Sequence, residues 1–562
     1  MRSTTVAAAA ALSLTTAVAI PLATASPVAS ASPATTWAAT STAAEPTASL
    51  GAGTPLAAAT PMKVTVALDL RNTAAMNRAI AAHQVLTPAA FTAAYGPTAA
   101  EAQQVVTYLQ SQGFSGVGVS TNRLLVTATG TAGQAASAFD TVLDGFTLAG
   151  RAVFANTAPA MVPATLSGVV GSVLGLNDVG TMTTQVATPT KAAAPAAVNP
   201  ASTCTIPGLP YLCDYNPQAF AQAYDATSAP TGSKTAVAIF TDGDVNGVIS
   251  DLRQEEAAIG LAQVPVSVVD TGPASTDSSG ADEYDMDTQY STGLVGAVSD
   301  LYLYNAPSLD DSDTTTAFND FASQDVAKAG SASFGECEYQ ADLDGSLAAD
   351  DEAFAEAALQ GQSVFASAGD TGGFCPAPVA ENGVPAGVPD VNYPAASPYV
   401  VSVGGTSLLT TSTGAYESEI AWLSGGGGVS LFEKGPSWQT GLTSTLSSVC
   451  GLATLSCGRT LPDIAMDADP NTGANVYVAG TPETVGGTSL ASPLALGAWA
   501  RVESAAGNRL GFAAPLLYGQ AGTTSLHDIT LGDTVPYPAT PGYDLATGNG
   551  SIDVAHLAAA LG

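Results

Sequence analysis

The chain has 562 residues, a net charge of −34, and 48 acidic residues against 14 lysines and arginines. That balance excludes nucleic acid or an anionic membrane surface as a main partner. Charged residues are only 11% of the total, so few cations remain to repel one another in acid, and the composition suits an acidic medium.

Arg2 precedes the apolar run Val6–Leu22, and small-residue sites follow at Ala23–Ala25 and Ala29–Ala31. This is the layout of a removable secretory leader over residues 1–31, and no later apolar run is long enough to span a bilayer. A secreted, extracellular protein is expected. Residues 32–60 are rich in Ala, Thr, Ser and Pro and predict a disordered lead-in. From Met62 the texture changes. "KVTVALDL" alternates like a strand and two short helical patterns follow; "TAAEAQQVVTYLQSQGF" predicts a longer helix stopped by Gly113. "NRLLVTATG" (Asn122–Gly130) is strand-like, and "TAGQAASAFDTVL" is an amphipathic helical pattern. This order suits a small antiparallel α+β unit over residues 61–180. Residues 181–202 are again Ala/Pro-rich and predict an exposed linker carrying a processing site.

The rest, 203–562, reads as one α/β domain. Apolar runs beginning at Thr235, Val264, Leu301, Ala329 and Ser363 alternate with helical stretches, as buried parallel strands with crossover helices do. Active sites of such sheets lie past the carboxyl ends of the strands. The six cysteines fall into local couples: Cys204 with Cys213, Cys337 with Cys375, and Cys450 with Cys457. With no Cys-x-x-Cys pair, disulfides in an oxidising compartment are expected rather than zinc, their connectivity left open.

"VGGTSLASPLALG" (Val485–Gly497) places Ser489 at the mouth of an apolar helix with Pro493 in its first turn. Free backbone N–H groups there can stabilise an oxyanion, although a serine in that place can also simply cap the helix. A Ser-His-Asp triad has no good candidate. The histidines are His83 in the N-terminal unit, and His527 and His556 far downstream, none in a His-Gly-Thr-like setting. The base can instead be a carboxylate: Glu283 and Asp287 stand at i and i+4, on one face of a predicted helix. Asp370 in "VFASAGDTGGFC" ends a buried strand, where a carboxyl can stay protonated in acid and donate a hydrogen bond. "LHDITLGDTVPYPATPGYDLATGNG" offers Asp528, Asp544 and free loop carbonyls, hard oxygen donors of the kind Ca²⁺ takes. "TDGD" (Thr241–Asp244) reads as a turn.

The order of these signals is more informative than any one of them. Glu-x-x-x-Asp (Glu283, Asp287), Ser-x-Ser-x-Gly (Ser331–Gly335), Gly-Asp-x-Gly (Gly369–Gly372), Gly-Thr-Ser-x-x-x-Pro (Gly487–Pro493) and Asp-Ile-Thr…Gly-x-Asp follow one another. That series resembles the sedolisin family of serine-carboxyl peptidases, the kumamolisin-like members among them. "LTPAAFTAAYGPT" and "NRLLVTATGTAGQAASAF" look like that family's activation prodomain.

The resemblance implies an α/β fold: a subtilisin-like catalytic domain with a central, mostly parallel sheet, preceded by a small α+β, ferredoxin-like prodomain. It implies Ser489 as nucleophile, Glu283 as general base and then acid, and Asp287 as the residue orienting Glu283. Asp370 would complete the oxyanion hole with the Ser489 N–H. One structural Ca²⁺ would be held by Asp528 and Asp544 with carbonyls of Ile529, Thr540 and Gly542. Ser333, Phe334 and Gly335 would line the substrate strand near the specificity pocket, with Phe334 standing where several members carry tryptophan, a difference that would alter the pocket wall. Thr371 replaces the usual serine after Asp370, and Thr540 a glycine.

The implied activity is that of a secreted, self-processing acid endopeptidase acting on proteins or peptides. It would be a monomer, with its own prodomain as intramolecular inhibitor and chaperone. A tripeptidyl-peptidase of the same family is the nearest alternative, and a catalytically silent binding protein on the same fold a more distant one.

Overall fold

The computed structural model describes residues 35–48, 50–148, 150–188, 214–375, 389–442 and 458–562. The leader, the linker from residue 189 onward, and Cys204, Cys213, Cys450 and Cys457 lie outside the described residues.

The N-terminal unit is built on strands β1 (Pro61–Leu68), β2 (Ser115–Val119), β3 (Leu125–Thr131) and β4 (Val170–Leu174). Their order across the sheet is β2-β3-β1-β4, with every pair antiparallel. This is the arrangement of a ferredoxin-like split βαβ unit. Helices α1 (Ala99–Ser111) and α2 (Ala132–Ala138) cover it. Both start in capping boxes, Thr98 with Glu101 and Thr131 with Gln134, each satisfying two amides that would otherwise be orphaned. The second helix is shorter than its pattern suggests, because Leu143 already begins an antiparallel hairpin with Arg151–Asn156.

The lead-in corrects one expectation. Trp37–Ala39 pairs with Met161–Pro163, and Thr54–Pro55 with Asp144–Gly145. Ala43 N–H donates to Leu343 O at 2.8 Å, and Thr42 is buried. The segment lacks a core of its own, but backbone pairing with its neighbours orders it.

The large sheet contains β6 (Ala236–Asp242), β7 (Val266–Asp270), β8 (Asp300–Ala306), β9 (Ala329–Ala332), β11 (Ser363–Ser367), β12 (Val400–Thr410), β13 (Tyr416–Ala421) and β14 (Ile464–Asp467). Two short strands lie outside it: β5 (Thr183–Thr184) in the linker and β10 (Phe334–Cys337). The sheet order is β7-β8-β6-β9-β11-β12-β13, with β14 also on β12, and every pair is parallel except β12 with β13. All five predicted apolar runs are strands of this sheet; four are buried between crossover helices α3 (Asn246–Ile259), α4 (Ala281–Val295), α5 (Asp311–Gln324) and α6 (Ser346–Leu359) and the long α7 (Thr488–Ala506), whereas β7, at the sheet edge, is not buried as expected.

α4 is buried from Glu283 to Val295, polar residues included, and packs along α7. Contact is close where Gly497 meets α4: a β-carbon there would lie 2.8 Å from Ser291 O. The helices that carry the candidate carboxylates and the candidate serine are therefore locked side by side.

The prodomain rests on α5 and α6. Lys63 Nζ pairs with Asp313 at 2.8 Å, Leu70 N–H donates to Glu352 at 2.9 Å, and Asn122 Nδ2 bridges Glu356 and Asn319 at 2.6 and 2.7 Å. Cys337 and Cys375 form a disulfide with Cα atoms 5.4 Å apart. Among the described residues no helix is long and apolar enough to cross a membrane.

Candidate active site

The sheet delivers the candidate residues to one place. Ser333 follows β9, Asp370 follows β11, Glu283 and Asp287 lie on α4, and Ser489 lies in the first turn of α7. Gly487, not Ser489, is the helix N-cap, so the serine hydroxyl is not used for capping. It donates instead to Ser333 O at 3.2 Å. The Ser333 hydroxyl, fully buried, donates to Asp287 Oδ1 at 2.6 Å and lies 3.2 Å from Ser489 O. Ser333 thus ties the serine to the acidic pair.

Glu283 is fully buried, and its carboxyl is pushed well above the usual range, first by burial and then by the charge of Asp287. The hydrogen bond from the Gln185 N–H, 3.0 Å from Oε2, and the nearby Ser489 hydroxyl oppose that rise. Burial likewise drives Asp287 up, against the hydrogen bond from Ser333. Glu283 Oε1 and Asp287 Oδ2 have no hydrogen-bond partner. Two like charges in so dry a site are costly, and one shared proton removes the repulsion.

Asp370 is anchored through a single oxygen. Oδ1 accepts the Thr488 N–H at 2.7 Å and its hydroxyl at 2.9 Å. Oδ2 is buried without a partner. Burial raises this carboxyl to about 7 against those two hydrogen bonds, so in acid Oδ2 can carry a proton to donate. Thr488 also accepts from Gly369 N–H at 3.0 Å, a positioning role that its Gly-Thr-Ser context alone did not reveal.

The other sequence candidates take varied places. Phe334 and Gly335 pair by backbone with Thr184 and Thr183 of the linker. The Phe334 ring does not form a pocket wall: it points inward and stacks on Phe318, ring centres 6.1 Å apart, because strand alternation sends it to the core face. Asp242, from "TDGD", ends β6 and accepts from the buried Tyr284 hydroxyl. His527 stacks on Tyr416, ring centres 3.8 Å apart; His556 pairs with Asp553 at 2.9 Å; His83 is exposed in the prodomain.

In the C-terminal loop both Asp528 oxygens accept the Gly542 N–H, at 3.1 and 3.0 Å. Asp544 Oδ2 accepts the Thr540 N–H at 2.7 Å, and Oδ1 those of Ala546 and Thr547 at 2.9 and 2.8 Å. The two carboxylates converge on Thr540–Gly542, while the buried Ile529 side chain leaves only its carbonyl as a donor. This all-oxygen set fits the chemistry of Ca²⁺. A second acidic group was not foreseen: Asp311, Glu336 and Asp344 are buried with carboxylate oxygens within 4.8 Å of one another, a group that could hold a metal ion. No motif marks it, since its members come from α5, β10 and the helix Glu338–Asp344.

The family models place this geometry. Residues 50–179 match the pro-kumamolisin activation domain, and residues 264–516 the subtilase family. Over 493 residues the chain is 40% identical to sedolisin of Pseudomonas sp. (strain 101), covering 84% of this chain and 80% of that protein. The chain belongs to the sedolisin family. It is also 36% identical over 556 residues to xanthomonalisin of Xanthomonas sp. (strain T-22), covering 88% of this chain and 65% of that one. Among solved structures it is similar to Pseudomonas sedolisin, a serine-carboxyl proteinase complexed with two molecules of pseudo-iodotyrostatin. There the identity is 41% and the TM-score 0.56, over 62% of this chain and 97% of that one. This sedolisin-family chain is accordingly a serine-carboxyl peptidase with an activation prodomain on a subtilisin-like fold.

Proposed function

We propose that the chain is an exported, acid-active endopeptidase, made as a precursor that cuts its own linker and stabilised by one Ca²⁺ in the Asp528–Asp544 loop. The observation that carries this reading is the chain of contacts from Ser489 through Ser333 to Asp287, with the buried Glu283 carboxyl beside the same serine. Glu283 takes the Ser489 proton as the hydroxyl attacks a peptide carbonyl, and returns it to the leaving amine. Asp287 shares the pair's proton and holds Glu283 in place. Asp370 Oδ2–H and the Ser489 N–H stabilise the oxyanion.

The pH dependence follows from these groups. Glu283 must be able to lose a proton, and Asp370 must keep one. Activity is lost as pH rises through about 7, where Asp370 ionises. A profile peaking above neutrality would sink the mechanism.

An endopeptidase is favoured over a tripeptidyl-peptidase by the path of the linker. Thr183 and Thr184 pair with β10 inside the cleft, and the chain continues upstream through Met182, whose N–H donates to Leu309 O at 3.1 Å. A cleft that passes chain in this way is not closed at a fixed depth. The tripeptidyl-peptidases that this chain is similar to match over smaller shares, such as 36% of it for one from Aspergillus fumigatus.

The deciding experiment incubates purified precursor in moderate acid beside its Ser489→Ala and Glu283→Ala variants. Wild type is expected to lose its prodomain and digest a denatured protein, and both variants to stay intact while remaining folded. Processing that survives Ser489→Ala would refute self-cleavage.

A further inference from the structure

The path of the linker singles out one bond. Thr183 faces Gly335 and Thr184 faces Phe334 in antiparallel register, so Gln185 comes opposite Ser333, whose carbonyl accepts from the Ser489 hydroxyl. Beyond it, Ala187 exchanges both backbone hydrogen bonds with Gly486, at 3.0 and 2.8 Å. The chain is therefore pinned on either side of Gln185–Val186, at the point where it passes the N-terminus of α7.

The position of one carbonyl selects the bond. A β-carbon on Gly487 (φ +109°) would lie 2.3 Å from Gln185 O and 2.6 Å from Asp370 Oδ2. Both oxygens thus gather around one point that glycine leaves vacant, beside the first turn of α7, where the Ser489 N–H lies. Asp370 Oδ2 is the oxygen without a partner. The neighbouring bond, Thr184–Gln185, has its nitrogen on Glu283 Oε2, but the carbonyl at the Asp370 site belongs to Gln185.

We infer that the peptide bond between Gln185 and Val186 is the precursor's own first substrate, held for cleavage in cis. This rests on the peptidase reading above. Ser489 Oγ bonds to the Gln185 carbonyl carbon, and the bond to the Val186 nitrogen breaks. The serine proton passes by way of Glu283 to that nitrogen, which leaves as a free amine. Water then hydrolyses the acyl ester, releasing the Gln185 carboxylate and restoring Ser489. The Gln185 side chain donates from Nε2 to Asn392 Oδ1 at 3.2 Å, so Asn392 is the side chain that reads the residue on the acyl side. An open groove of about 1060 Å³, lined in part by Gln340, Asp370, Thr371 and Asn392, flanks this position.

The test moves purified full-length precursor into moderate acid, stops samples early and identifies the first new N-terminus by sequencing and intact mass. Val186 is expected, at a first-order rate unchanged by dilution. Val186→Pro should lose this cut and Val186→Ala keep it, with melting curves reporting that both precursors are folded. A Ser489-dependent first cut at any other bond, Thr184–Gln185 included, overturns the assignment while leaving the peptidase reading intact. A rate proportional to precursor concentration overturns cleavage in cis. If wild type neither processes itself nor digests denatured protein, the peptidase reading itself fails.

Discussion

Asp370 divides its work between two oxygens. Oδ1 is held by the Thr488 N–H and hydroxyl, which fixes the carboxyl without using Oδ2. Asp370→Ala removes an oxyanion donor and is expected to lower kcat by about 10²–10³-fold with little change in KM. A fall in kcat/KM carried by KM alone would show that Asp370 acts in substrate binding instead. Ser489, Glu283, Asp287 and Asp370 were legible as candidates because the order of their short motifs resembles that of a known family. The contributions of Thr488 and Ser333 were not, because a hydroxyl's role depends on what it reaches. Ser333 was expected at the substrate strand, yet its side chain reaches back to Asp287.

The site is held at the scale of elements by α4 packed along α7 and by loops at the carboxyl ends of β9 and β11. Helix periodicity alone placed Glu283 and Asp287 on one face, but only the crossover order of the sheet brings that face to Ser489. In the proposed reading, the loop from Asp528 to Asp544 contributes stability rather than chemistry. Its two carboxylates already converge on Thr540–Gly542, and a bound cation would cancel the repulsion between them. Saturating Ca²⁺ at 100 times its Kd is expected to stabilise the Ser489→Ala precursor by about 2.7 kcal/mol, and a chelator to lower its melting temperature. Asp528→Asn should weaken that response. A melting temperature indifferent to both Ca²⁺ and chelator would remove Ca²⁺ from this loop.

Across the whole molecule, many carboxyls are buried without a cation. Glu255, Glu338 and Glu356 are pushed up to about 7 and Asp285 to about 8, in each case first by burial. A carboxyl whose folded value lies above its unfolded value near 4 adds stability that is complete below about pH 4. That stability is lost as pH rises through about 7 to 8, where the buried group must ionise or the fold must open. The Ser489→Ala precursor should therefore melt highest near pH 4 and several degrees lower at pH 8. A melting temperature that rises over this interval would contradict the account. Composition pointed toward acid tolerance for a different reason: with 14 lysines and arginines, few cations remain to repel one another once the carboxylates are protonated.

By itself, the sequence determined the alternation of strands and helices through local periodicity, and it carried an ordered series of candidate motifs whose resemblance to a known family pointed to the fold class. Tertiary structure alone decided which groups touch. It turned Phe334 into the core, ordered the lead-in on its neighbours, gathered Asp311, Glu336 and Asp344 from three elements, and threaded Gln185 past Gly487. Each depends on residues far apart in the chain, and no local pattern encodes where a sheet's crossovers will bring them together.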